Sequence, residues 1–213
     1  MGDGLRPRRG ARAARGDPAV SLVDRWPLPD HHALRDDLLA AWDRAGYHDL
    51  RHLEEVLDRL DVLAAAGVPF DRTLVALAAW FHDAVYDGAD DDEERSARWA
   101  EDALPATRAD EVARLVRMTV EHRPAGDDPA GAALSDADLG ILAAPRWRYD
   151  AYVAGVRADF AHVGDDDFRA GRAAVLRDLV ARAHLFSTSH ARELWEDAAR
   201  ANLERELAGL SGR

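Results

Sequence analysis

Leu74 to Phe81 is a run of eight apolar residues that reads as the inside of a helix, and it ends on His82-Asp83. An ionised carboxylate is costly to bury unless something pairs with it, so the dipeptide asks for a positive partner. Other titratable residues stand at telling places. In "YHDLRHLEEVL", His48 and His52 are four apart, which puts them on a common side of a helix. "SDADLGIL" offers Asp136 and Asp138, and His122 closes a segment of helical periodicity. Two histidines and two carboxylates can surround one divalent cation. Imidazole suits Zn, Cu, Fe and Ni, while carboxylate and water widen the choice towards Mn and Mg. Such an ion would neutralise Asp83 and keep His82 neutral, with one ring nitrogen on the metal.

The elements that must position these residues are helices. Almost everything after residue 30 has helical periodicity, and no run alternates as a half-buried strand does. Helices are predicted over about 31–44, 49–66, 72–85, 92–103, 108–122, 135–143, 145–162, 166–185 and 190–209. Leu50, Leu53, Val56, Leu57, Leu60 and Leu63 make one apolar stripe on the second. Asp71, Thr107 and Ser189 are placed as N-caps, and Pro145 fits a first turn. On this map His82-Asp83 lies near the end of the third helix, and Asp136 and Asp138 open a short one. The reading is one all-α domain over 19–213, preceded by a disordered basic tail at 1–18.

Composition narrows the function. The chain has 213 residues, 47% of them hydrophobic and 32% charged, as a soluble globular protein does. There is no cysteine, so zinc-thiolate sites, thiol nucleophiles and disulfides are excluded. A net charge of -12 argues against general nucleic-acid binding, because phosphate backbones repel an acidic surface. The arginine-rich tail could give only a weak contact with nucleic acid or a membrane surface. No apolar run approaches the roughly 18 residues of a membrane span, and the N-terminus lacks the apolar core of a secretory signal. The expectation is a cytoplasmic protein.

The order His52, His82-Asp83, Asp138 resembles the H…HD…D signature of the HD-domain metal-dependent phosphohydrolases. It is most similar to a bacterial subgroup of small predicted HD phosphohydrolases, through "YHDLRHLEEVL", "AAWFHDAVYD", "DEERSA", "SDADLGIL" and "ARANLEREL". The resemblance covers about residues 22–208. It implies a helical bundle of the HD type in which His52, His82, Asp83 and Asp138 ligate a divalent ion (Mn, Fe, Co, Ni, Zn or Mg). Asp138 matches the family's final aspartate, with Asp136 as the alternative. The implied activity is hydrolysis of a small phosphate ester, such as a nucleotide. Asp83 would also position the nucleophile, and His48 or His122 would orient the phosphate or protonate the leaving oxygen. Glu93 matches an acidic position behind the ligands. Asp49 and Asp92 stand where the subgroup commonly has asparagine, adding negative charge near the site.

Each of these residues also has a structural reading: His52 as a satisfied core histidine, Asp138 as a helix N-terminal charge, His48 and His122 as polar surface groups. Arg44 and Arg123 are candidate phosphate ligands. The rival function is a ligand-binding or regulatory helical protein whose metal is structural, distinguished by a closed rather than open coordination shell.

Overall fold

The computed structural model describes residues 22–211; the tail expected at 1–18 lies outside the described residues. Among these, regular structure is helical throughout, and no strand occurs. The helices are α1 (His32–Trp42), α2 (Leu50–Ala65), α3 (Arg72–Phe81), α4 (Asp92–Ala103), α5 (Ala106–Met118) and α6 (Pro129–Leu139). A short 3-10 turn (Gly140–Ala143) leads to α7 (Arg146–Asp159), α8 (Asp165–Ala181) and α9 (Ser189–Ser211).

One hydrophobic core joins them, because each helix buries a stripe against its neighbours. The predicted stripe of α2 is the clearest case, with Leu53, Val56, Leu57, Leu60 and Leu63 buried. Helices α2, α3 and α6 pack on one another, α4 and α5 form a hairpin against α3, and α8 and α9 close the far side. Trp42 and Trp80 are fully buried in the centre. The Trp42 indole donates from Nε1 to the Trp80 carbonyl at 2.8 Å, meeting one of the acceptors that a helix end leaves unpaired.

Helix starts follow capping chemistry. The Asp49 side chain accepts from the His52 N–H at 3.0 Å, and Asp71 accepts from Leu74 N–H at 3.0 Å. Asp49 is therefore a helix cap, where the sequence suggested only added charge near the site. Asp49→Ala is expected to cost about 1 kcal/mol and to lower Tm by roughly 2–4 °C, read by thermal denaturation.

Several boundaries differ from expectation. Helix α3 stops at Phe81, not at 85, so His82 is its C-cap and Asp83 lies in the following turn. Helix α5 stops at Met118, and His122 lies beyond it in the left-handed region, φ 50. It begins at Ala106 with Pro105 as N-cap, so Thr107 is inside the helix. The largest difference is α6, which starts at Pro129 rather than near 135. Its signal was present in "DDPAG": Asp128 accepts from Gly131 N–H at 2.8 Å, and Pro129 occupies the first turn. Asp136 and Asp138 thus lie near the end of a helix, where the macrodipole does not favour a carboxylate. At α9 the cap is Thr188, whose hydroxyl accepts from Ala191 N–H at 3.2 Å, in place of Ser189.

Candidate metal centre

Three helices deliver the cluster. His52 projects from the first turn of α2, fixed by the Asp49 cap. His82 and Asp83 come from the turn that ends α3, and Asp138 from the last turn of α6. His52 Nε2 lies 3.2 Å from His82 Nε2, 3.1 Å from Asp138 Oδ1 and 3.5 Å from Asp83 Oδ2. His82 Nε2 lies 3.2 Å from Asp83 Oδ2 and 3.7 Å from Asp138 Oδ1. His52, His82 and Asp83 are buried, and their ligating atoms all fall within 4.8 Å of one another. His82 keeps helical dihedrals (φ -55, ψ -39), so the two side chains leave the backbone about 100° apart and meet because the longer histidine reaches Asp83 Oδ2 at 3.2 Å.

The donor set fits a cation. A carbonyl oxygen can only accept, so His82 Nδ1, 2.8 Å from the Ala79 oxygen, carries the proton. His82 Nε2 then faces His52 Nε2 and two carboxylates, a position suited to a proton or a cation. Charge in the ligand-free cluster tells the same story. Burial lowers the affinity of both imidazoles for a proton, yet the Asp83 and Asp138 carboxylates outweigh it and raise both pKa values, that of His82 strongly. Burial pushes the two carboxyls up, but the histidines hold both well below the usual carboxylate range. The cluster is built to gather positive charge, and one divalent ion can replace two protons.

Packing holds these groups still. Tyr47 lies 4.5 Å from the His52 ring, and Trp42 lies 5.5 Å from that of His82, centre to centre. Arg44 clamps the two segments together: its guanidinium donates to the carbonyls of Ala41, His48, Asp83 and Ala84. That engagement removes Arg44 from the phosphate-binding candidates. Arg123 is on the surface beside Asp178, at 3.2 Å.

Sequence reasoning missed Asp159, which has no motif and stands 111 residues from its partner. Its carboxylate accepts from His48 Nδ1 at 2.8 Å and from the Tyr47 N–H at 3.2 Å, with the carboxylate nearly buried. The His48 ring also stacks on Tyr86, 3.8 Å between centroids, and its Nε2 is 3.9 Å from Asp83 Oδ2. This approach requires two glycines. Gly46 (φ 114) leaves the space that the Asp159 carboxylate fills, and at Gly155 a Cβ would come within 3.0 Å of the Tyr47 backbone. His122 Nε2 is 3.3 Å from Asp138 Oδ2, while burial lowers its pKa and leaves Nδ1 without a hydrogen-bond partner.

The remaining acidic candidates separate. Asp136 turns away from the cluster: it accepts from Ser187 N–H at 2.6 Å and Thr188 N–H at 2.8 Å, tying α6 to the start of α9. Asp136→Ala strands two part-buried backbone donors, at a cost of about 1 kcal/mol or more each, and should lower Tm while leaving metal affinity near wild type. Asp138→Ala should do the reverse, and calorimetric metal titration beside thermal unfolding checks both. Asp92 binds the N–H groups of Asp87, Gly88 and Ala89 through Oδ2 and Arg95 through Oδ1, so its charge organises a loop rather than the site. The Glu93 carboxyl is half-buried, and burial together with the nearby Asp83 charge raises its pKa.

A cleft of about 820 Å³ opens beside the cluster, reached by His48, His122 and Asp138. That volume is within the roughly 300–1,000 Å³ of small-molecule sites. What fold and site define together is an all-α protein carrying a buried histidine–aspartate group that could hold a metal ion, next to an open cleft. No protein-family model, no curated protein and no solved structure matches the chain. Among the described residues, no helix is long and apolar enough to cross a membrane.

Proposed function

We propose that the protein is a metal-dependent phosphohydrolase of the HD type that acts on a small phosphate ester. The observation carrying this reading is that the buried His52–His82–Asp83 group meets Asp138, and that Asp138 in turn lines the cleft. A purely structural ion needs a closed shell, whereas a catalytic one keeps an open side; contact between ligand and cleft favours the enzyme. His52, His82, Asp83 and Asp138 would hold the ion. When bound, it supplies Lewis acidity to a phosphoryl oxygen and lowers the pKa of water.

The protein's own groups do the rest. Asp83 aligns the attacking water. Because His48 Nδ1 donates to Asp159, Nε2 is the nitrogen left to exchange a proton at the site. His122, kept neutral by burial, orients the phosphate by hydrogen bonding. A bond forms from water oxygen to phosphorus, and the ester P–O bond breaks with its electron pair on the leaving oxygen. That oxygen takes a proton from His48 Nε2. The proton released by water restores the imidazolium, and the products are an alcohol and inorganic phosphate.

The test is a phosphate-ester panel with protein loaded with Mn or Ni, beside Asp83→Ala. Equal activity in both proteins rejects the mechanism. Asp159→Asn should lower kcat roughly 10–100-fold, the size of general-acid and outer-partner effects, with metal affinity unchanged by titration.

A further inference from the structure

We infer that the cleft receives the organic part of a phosphate monoester with an apolar or aromatic alcohol, and rejects polyphosphate chains. This rests on the phosphohydrolase reading and concerns what lies beyond the first phosphate. The phosphate end of the cleft is marked by His48, His122 and Asp138, which places one phosphoryl group at the cluster. A second or third phosphate would extend away from it and would need free cations along the walls. The three arginines lining the cleft are each already engaged with a carboxylate or with carbonyl groups.

Arg172 donates to both Glu206 oxygens, at 2.8 and 3.1 Å, and to the Tyr152 hydroxyl at 2.9 Å. Arg182 is held by Asp178 at 3.0 Å and by the carbonyls of Glu121 and His122. Arg123 faces the same Asp178. Glu121 adds another carboxylate at the rim, and the chain has no lysine whose flexible ammonium could swing in. What the walls do offer is apolar and aromatic: Tyr86, Leu142, Val156, Phe160, Val175 and Leu179. Val120 and Val175 are 61% and 52% exposed, which leaves apolar surface at the opening for a ligand to cover. Apolar walls beside a single anion site select a monoester carrying a ring or an aliphatic body.

The experiment uses the full chain loaded with Mn and four substrates: 1-naphthyl phosphate, methyl phosphate, ADP and ATP. Binding is followed in parallel by calorimetry with two non-hydrolysable probes, 1-naphthylmethylphosphonate and methylphosphonate. The inference expects kcat/KM for the naphthyl ester to exceed that for the methyl ester by at least about tenfold, the scale of hydrophobic-pocket discrimination. The phosphonates should follow the same order. Val175→Ser, at an exposed wall position, should reduce the naphthyl preference over methyl phosphate several-fold in both readouts. Turnover of ADP or ATP equal to or above that of the naphthyl ester overturns the inference and leaves the phosphohydrolase reading standing. Equal binding of the two phosphonates overturns it as well. Hydrolysis of none of the four, with the metal bound, sinks that reading and the inference together.

Discussion

Divalent metal added to chelated wild-type protein is expected to raise Tm, and His82→Ala is expected to erase that rise. An ion that binds the folded state alone stabilises it by about 2.7 kcal/mol at a hundred times Kd. For a chain of this size that is roughly 5–10 °C. His82 is the most consequential substitution because its Nδ1 is already fixed by the Ala79 carbonyl, which aims Nε2 at the shared centre. Its loss should weaken metal affinity by at least the roughly 100-fold that removing an outer partner can cost. Comparing each protein with and without metal cancels whatever the alanine does to the metal-free fold. A wild-type Tm that ignores Mn, Ni and Zn alike would remove the metal centre from consideration.

The second large effect is structural and lies behind the site. Glu55 on α2 accepts from Arg148 on α7 at 2.7 and 2.9 Å, and both side chains are about nine-tenths buried. This pair ties the helix carrying His52 to the helix carrying Gly155 and Asp159. Glu55→Ala leaves the Arg148 charge buried without its carboxylate, a change costing about 3–5 kcal/mol. The expected fall in Tm is roughly 6–20 °C. The double variant Glu55→Leu/Arg148→Met should recover most of it, since apolar replacement of a buried pair is often neutral. Acid has a defined sign here. Burial pushes the Glu55 carboxyl up, but Arg148, Arg59 and Arg51 together hold it below its ordinary value of 4.5. A depressed folded-state pKa gives stability that is present above 4.5 and lost as pH falls through the folded value. The gap between wild type and Glu55→Ala should therefore narrow below about pH 4.5. A gap that widens with acid would contradict the ion pair.

Metal affinity and stability are separable in these variants because different side chains carry them, even on one helix. Asp136 and Asp138 make the point most sharply: two residues apart on α6, one anchors the chain near Thr188 and the other faces the histidines.

Helical character, the apolar stripe of α2 and the short roll of histidines and carboxylates that could do chemistry were all legible along the chain. Those follow from local rules, namely periodicity, capping and the cost of burying charge, which act within a few residues. Local sequence could not show that α3 ends at Phe81, because Trp42 meets the Trp80 carbonyl there and Arg44 takes the Ala84 carbonyl of the following turn, both from a distant segment. Nor could it show that Asp49 and Asp92 serve a helix cap and a loop, or that Arg44 is a clamp rather than a phosphate ligand. Asp159 was invisible for the same reason: a carboxylate acquires a role only when folding brings a histidine to it across 111 positions. Local energetics choose which helices form, whereas partners for buried polar atoms are chosen by packing between elements. The identity of the site belongs to the second choice.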